Sequence, residues 1–378
     1  MTSLNTVLFL ANRGYALKSS RKLLIEFFLS IGWKVVLCTT ADKDSYTLER
    51  LGAKLEVVPF SRGGVFGWKD YQCYRRLCRI YSEYSPSLVH AFHAKPVILS
   101  ALASKTVKSD AKVVSTITGL GHAFIKGGLI ASIAGLGYRM ALPNTDITIF
   151  QNSDDQDLFA AAGWLDKCDH KLIVGSGVDV NRFSLSCRAK KEQKCVLMLG
   201  RLLRQKGVLE FSEIAQAALK SNVLSEFVWA GEVDSVHPDA ISPAFFDGTN
   251  VSYAGHVADV TKLLNDADLF LFPSYREGVP RAIMEASASG IPTVAFDVPG
   301  VREVVRDGIT GYLVPFGDVK ALVEKTFLLL ENNVLRVEMG KNAREMALDS
   351  FDIRIIQKQY VDVYQMLGID IPDFPIEE

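Results

Sequence analysis

The chain has few cysteines for its 378 residues, six in all, and none in paired C-x-x-C spacing: Cys38, Cys73, Cys78, Cys168, Cys187 and Cys195. That pattern argues against a zinc ribbon and a disulfide scaffold. No secretory leader stands before the first apolar run, so reduced thiols in the cytosol are expected. Long apolar runs are missing as well: the longest, residues 127–138, is bracketed by Lys126 and Arg139 and falls short of the roughly 20 residues a membrane-spanning helix needs. Basic residues are not interleaved with aromatics as in single-strand binders, so no nucleic-acid partner is expected. No G-x-G-x-x-G follows the first strand candidate, which argues against a nicotinamide-dependent dehydrogenase.

Net charge is nearly absent, at −1, but it is unevenly spread. Residues 1–172 hold 21 Lys+Arg against 14 Asp+Glu, and the remainder 21 against 29, so the front is about +7 and the back about −8. A basic front suits an anionic membrane surface, where each nearby Lys or Arg contributes roughly 1 kcal/mol. Candidate contacts are Lys18, Arg21, Lys22, Lys69 beside Trp68, and the cluster Arg75, Arg76 and Arg79. An ordinary solvated face is the alternative.

Hydrophobic content is ample, at 48%, and suffices for two domains with a core each. Short apolar runs alternate with helical periods: Val7–Leu10, Val35–Cys38, Leu88–His90, Val113–Thr116 and Ile147–Phe150, then Cys195–Leu199, Phe227–Ala230, Val251–Tyr253, Leu269–Phe272 and Thr293–Phe296. Between the first two, Leu23, Leu24, Phe27, Phe28 and Ile31 recur at helical spacing. The alternation implies two α/β domains, each a doubly wound parallel sheet with helices on both faces. The expected division is 1–172, a polar linker over 173–194, a second domain over 195–350, and a terminal helix and tail over 351–378. Such folds bind ligands at the carboxyl ends of their strands, expected here to face each other across a cleft.

The strongest functional signal is the segment from Phe272 to Pro292, with Glu277 and Glu285 eight residues apart across a strand-to-helix turn. Pro280 suits the first position of a helix running to about Ser289 and stopping at Gly290. A helix start offers free N–H groups and a positive dipole end to an anionic group such as a diphosphate, and Gly278 permits close approach. Glu285 stands among Ala282, Ile283, Met284, Ala286 and Ala288, so its carboxylate needs hydrogen-bond donors, for which ribose hydroxyls are suited. An arginine partner would satisfy it equally. Arg281 suits a phosphate, a sugar substituent or a salt bridge to a neighbouring acid.

After the first strand of the back half comes Gly200-Arg201, then Lys206-Gly207. The planar fork of Arg201 and the point charge of Lys206 suit a diphosphate. Asp266 and Asp268 mimic a D-x-D only where a helix leads into a strand, and His90 and His93 lack a third ligand, so no metal is expected.

Together with the glycine turns from Pro299 to Pro315, these motifs resemble the donor-binding half of retaining GT-B glycosyltransferases of the family 4 type, over about residues 193–350. The resemblance is looser before Asp110. It implies two Rossmann-like domains and a nucleotide-sugar substrate, UDP-linked by analogy, with no further cofactor. It places Glu285 on the ribose, Glu277 beside the donor sugar and phosphates, and Arg201 and Lys206 on the leaving diphosphate. Gly278, Val279, Pro280 and Arg281 belong to the same donor site, with Val257 after Tyr253-Ala-Gly255-His256 at the base and Gly14 near the reacting sugar. The Asn12-Arg13-Gly14 loop lacks the family's paired glycines, and Thr118 stands where many members carry a histidine.

The Thr118-Gly119-Leu120-Gly121 version resembles a bacterial subset acting on polyprenyl-diphosphate-linked saccharides at the inner face of the cytoplasmic membrane. Thr118, Gly119, His93 and Lys95 are candidate acceptor contacts, the last two for its diphosphate. Leu129, Ile130, Ile133 and Leu136 either touch the membrane or belong to the core. The last helix is expected to cross back onto the first domain. The implied reaction is retaining transfer of a hexose or N-acetylhexosamine, with Glu277, Arg201 and Lys206 as the catalytic set. A nucleotide-sugar epimerase and a non-catalytic sugar-nucleotide sensor remain as alternatives, and a product assay separates them.

Overall fold

The computed structural model describes residues 5–61, 66–120, 128–183, 193–235 and 237–376, without the side chains of 128–131. The chain divides into two compact units, Met1–Ser176 with Arg354–Glu378, and Gly177–Ile353.

The first unit is built on seven parallel strands: β1 (Thr6–Leu10), β2 (Lys34–Thr39), β3 (Lys54–Val57), β4 (Leu88–Phe92), β5 (Lys112–Ile117), β6 (Ile147–Phe150) and β7 (His170–Leu172). Their order is β3-β2-β1-β4-β5-β6-β7. The central strands are apolar runs buried along their whole length, as strands covered on both faces must be. The second unit has β8 (Lys194–Leu199), β9 (Ser225–Ala230), β10 (Val251–Gly255), β11 (Leu269–Phe272), β12 (Thr293–Phe296) and β13 (Gly311–Val314), in the order β10-β9-β8-β11-β12-β13. Both are the doubly wound α/β sheets expected from the sequence. β3, β7 and β13 were not among the expected strands: each is short and lies at a sheet edge, β3 and β7 are broken by polar residues, and β13 has only Tyr312-Leu313-Val314 after its glycine.

The first crossover helix, Gly14–Ser30, buries Leu17, Leu24, Ile25, Phe27 and Phe28. Against it lies the late helix Ile353–Met366, whose Ile356, Tyr360, Val361, Val363 and Tyr364 join the same core. Arg21, a candidate membrane contact in the sequence, is instead only 2% exposed. Its guanidinium lies 4.5 Å from the Phe92 ring centroid and 4.7 Å from that of Tyr360, and its Nη2 donates to the Tyr360 hydroxyl at 3.0 Å. The stripe that buries Phe27 and Phe28 also carries this arginine inward. His90, fully buried, meets the Tyr364 hydroxyl at 2.5 Å and Thr116 at 2.7 Å.

Lys18 and Lys22 hold Asp44 and Glu26, and Arg76 holds Glu56. Trp68, Tyr71, Lys69, Arg75 and Arg79 stay exposed on the helix Trp68–Tyr84. On the helix Gly128–Ala141, Leu136 and Met140 are exposed and Ile133 half-buried; the Leu129 and Ile130 side chains lie outside the described set. No helix among the described residues is long and apolar enough to cross a membrane. The five described cysteines are free thiols.

The chain enters the second unit at Gly177, where Val178 N donates to Phe351 O at 2.8 Å and Ile353 N returns a bond to Val178 O at 2.9 Å. Residues 177–183, in the expected linker, pack within this unit; 184–192 lie outside the described residues.

Candidate active site

In the second sheet the strand order reverses between β8 and β11, so the loops leaving these neighbours diverge and open a crevice at their carboxyl ends. The β8 loop carries Arg201 and Lys206, and the β11 loop carries Ser274 and Glu277. Two glycines let these loops close. At Gly207, with φ +80°, a Cβ would lie 2.2 Å from the Pro273 carbonyl oxygen, and at Gly300, with φ +78°, 1.9 Å from that of Gly278. Backbone bonds then fix the loops, with Tyr275 N donating to Gln205 O at 3.0 Å and Glu277 N to Pro299 O at 3.3 Å.

Lys206 Nζ donates to Glu277 Oε1 at 2.5 Å, and the hydroxyl of fully buried Ser274 donates to the same oxygen at 2.6 Å. Arg201 Nη1 donates to Asp234 Oδ2 at 2.8 Å. The three cations singled out in the sequence therefore each meet a carboxylate, the third pair being Arg281 Nε with Glu285 Oε1 at 2.9 Å. The salt bridge to a neighbouring acid, one of the uses expected of Arg281, is present.

The helix after the Glu277 turn spans Arg281–Ala288, with Pro280 as its N-cap and Ser289 as its C-cap. Its first turn has no acidic residue and no side-chain cap, so no acid of that turn offsets the positive dipole end; Ile283 N and Met284 N turn to Pro280 O at 3.1 and 3.4 Å. Burial pushes the Glu285 carboxyl above its ordinary value, opposed by the Arg281 guanidinium. At the helix's far end Arg344 Nη1 donates to Ala288 O at 2.6 Å, and also to Val180 O at 2.8 Å and Phe183 O at 2.6 Å.

Gly278 and Val279 complete the turn, half-buried, and Val257 follows β10 with exposed His256 before it. Asp268 accepts the Cys195 N–H at 3.0 Å, a structural use. No group of three metal-ligating side chains occurs among the described residues. Ser274 and Asp234 escaped the sequence reading. Ser274 had a signal, a small hydroxyl beside a strand end three residues from Glu277; Asp234 had none, because loop packing alone brings it to Arg201.

The first sheet reverses between β1 and β4. Gly14 follows β1 there: its N–H donates to Asp42 Oδ2 at 2.9 Å, and a Cβ would lie 2.3 Å from Asp42 Oδ1. Its smallness serves the turn Asp42–Ser45. His93 caps the helix Ala94–Val107 with φ +73°, and its Nδ1 is buried without a hydrogen-bond partner among the described residues. Burial lowers its pKa to about 4, so the ring is neutral at pH 7. Lys95 is buried, its ammonium 3.0 Å from Asp70 and also donating to Ser61. Neither residue offers the free positive charge expected for an acceptor diphosphate: burial neutralises one and an internal ion pair occupies the other. Thr118 and Gly119 are half-buried after β5, and Gly121 and His122 lie outside the described residues.

Two doubly wound units, the second with cations and a helix start at its switch point, define a two-domain group-transfer enzyme. Residues 181–346 match the family of glycosyl transferases group 1, and residues 6–152 the glycosyl transferase 4-like family. The chain is a glycosyltransferase of the GT-B class. It is 27% identical over 374 residues to the Campylobacter jejuni N,N'-diacetylbacillosaminyl-diphospho-undecaprenol alpha-1,3-N-acetylgalactosaminyltransferase, covering 94% of this chain and 97% of that one. With the Escherichia coli UDP-Gal:alpha-D-GlcNAc-diphosphoundecaprenol alpha-1,3-galactosyltransferase it shares 23% identity over 78% of this chain and 80% of that one. In fold it is similar to Anabaena HepE in complex with UDP and glucose, with a TM-score of 0.74 and 20% identity over 96% of this chain and all of that one.

Proposed function

We propose that the protein transfers a hexosyl or N-acetylhexosaminyl residue from a UDP-sugar to a polyprenyl-diphosphate-linked saccharide, with retention of anomeric configuration, at the inner face of the cytoplasmic membrane in bacterial glycan assembly. One observation carries the donor side of this reading: Lys206 meets Glu277 at the switch point, on the same β8 loop as Arg201, beside a helix start whose fifth residue is Glu285. The acceptor side rests on the relatives, two of which are named for undecaprenyl-diphosphate-linked substrates.

In this reading the hydroxyls of the nucleotide ribose donate hydrogen bonds to the Glu285 carboxylate, and the diphosphate lies between Arg201, Lys206 and the amides of the helix start. Negative charge grows on the diphosphate as the glycosidic bond breaks, and these groups are already in place to stabilise it. Glu277, held by Lys206 and Ser274, faces the sugar. The departing phosphate assists the acceptor hydroxyl on the same sugar face, so no side-chain nucleophile is required. The membrane contact is assigned to Trp68, Tyr71, Arg75 and Arg79, with Leu136 and Met140, where exposed aromatic, apolar and basic groups suit an anionic interface.

The test is calorimetric binding of UDP, GDP, ADP and NAD to the wild-type chain and to Glu285→Ala. Selective UDP binding that the variant loses supports the donor site; UDP-sugars are then assayed with lipid-linked acceptors and the product anomer is read by NMR. NAD binding alone, or nucleotide binding indifferent to Glu285, overturns it. Conversion of the donor without any acceptor would instead indicate an epimerase.

A further inference from the structure

We propose that Asp234 is a positioning residue for the donor diphosphate, acting by bracing Arg201. The inference rests on the reading above that Arg201 touches that diphosphate.

Arg201 is 39% exposed in its side chain, whereas Asp234 is only 11% exposed. The acid is the fixed member of the pair. Its loop, which leaves β9, is fastened to the Arg201–Lys206 loop by three backbone bonds: Leu202 N to Glu232 O at 3.0 Å, Arg204 N to Asp239 O at 2.8 Å, and Ile241 N to Leu202 O at 3.0 Å. The loops also touch at Gly231, where a Cβ would lie 1.9 Å from the Gly200 carbonyl oxygen. Asp234 binds through a single nitrogen, Nη1, and Nε and Nη2 have no hydrogen-bond partner among the described residues. A guanidinium is planar, with five donors in a fixed fork, so a carboxylate on one edge fixes the plane and leaves the other edge for phosphate oxygens.

Two effects of the carboxylate oppose each other. Its charge weakens the attraction of Arg201 for an anion, but at a partly exposed position solvent screens that cost. Without it, a long flexible side chain must be ordered when the nucleotide binds. We take the ordering effect to be the larger, and a neutral residue that still accepts a hydrogen bond separates the two.

The experiment is a double-mutant cycle on nucleotide binding, with whichever of UDP, GDP and ADP binds best as the probe and its parent nucleoside as control, each variant first shown to melt like wild type. Asp234→Ala is expected to weaken diphosphate binding about fivefold or more, with Asp234→Asn within about threefold of wild type and nucleoside binding unchanged. In an Arg201→Ala background, Asp234→Ala should add little. Equal losses in both backgrounds would mark Asp234 as structural only, and tighter binding in Asp234→Ala would mark it as a competitor; either sinks the proposal. If Arg201→Ala itself leaves diphosphate affinity unchanged, the donor-site reading fails first, and this inference with it.

Discussion

Lys206 and Glu277 meet across 71 positions of sequence, Nζ to Oε1 at 2.5 Å, and buried Ser274 reaches the same oxygen. Two donors on one oxygen fix the carboxylate plane and leave Oε2 without a bond to any described residue. The lysine is thereby oriented by the glutamate before any substrate arrives, which is the arrangement electrostatic catalysis requires.

Lys206→Ala should fold normally and lower kcat/KM by at least about tenfold, or about 1.4 kcal/mol at the transition state. Ser274→Ala keeps the ion pair but frees the carboxylate plane, and should cost less, about threefold to tenfold. Steady-state kinetics with both substrates checks this; near-normal transfer by Lys206→Ala refutes the site.

Glu285→Gln should bind nucleotide more weakly yet melt no lower than wild type near neutral pH. Burial raises the Glu285 pKa in the folded state, so the folded chain binds more protons than the unfolded one once pH passes the ordinary carboxyl value. Its contribution to stability is therefore present at low pH and lost as pH rises through that raised value. A lower Tm for Glu285→Gln at pH 7, by calorimetry, would show that the Arg281 contact outweighs desolvation.

His93 works in the opposite sense. Its folded pKa of about 4 lies below the ordinary 6.5, so the unfolded chain takes up the proton first and stability is lost as pH falls from about 6.5 towards 4. His90, lowered by burial as well, adds to the same loss. In His93→Gln, which removes the titrating ring, Tm should decline less steeply than wild type over that window. Identical slopes would remove His93 from the acid response.

Arg21→Ala should destabilise the first unit by about 2–4 kcal/mol, because it opens a cavity between Phe92 and Tyr360 and strips the Tyr360 hydroxyl of its donor. Urea denaturation measures the loss, and faster proteolysis near residue 353 should accompany it.

Replacing Trp68 and Tyr71 by alanine, or Leu136 and Met140 by aspartate, should reduce sedimentation with phosphatidylglycerol vesicles about fivefold or more without changing the melt. Undiminished sedimentation in both variants would remove the membrane role from these helices.

The central strands were legible because a strand buried on both faces must be an apolar run, as Val7–Leu10 and Leu269–Phe272 are. Three of the four edge strands were not: Lys54–Val57 and His170–Leu172 are interrupted by charged or polar residues, and Gly311–Val314 has only three apolar residues after a glycine. Glu277, Glu285, Arg201 and Lys206 could be named from local spacing. Their partners could not: Asp234 reaches Arg201 over 33 positions, and Asp70 takes Lys95 over 25, distances that only packed loops and helices span. Arg21 shows the same limit, since an arginine on an amphipathic stripe reads as a surface charge until the helix that covers it is known.

Arg21 and Tyr360 are 339 residues apart. On the ribosome, the first unit waits for residues 354–376 before its core is covered, holding a buried-to-be arginine and an apolar face open for most of synthesis. The second unit, contiguous from Gly177 to Ile353, has no such wait. The order of maturation is thus reversed with respect to the order of translation, and a nascent chain halted between Ile353 and Tyr360 would present a complete second unit attached to an uncovered first unit, the form on which chaperones would act.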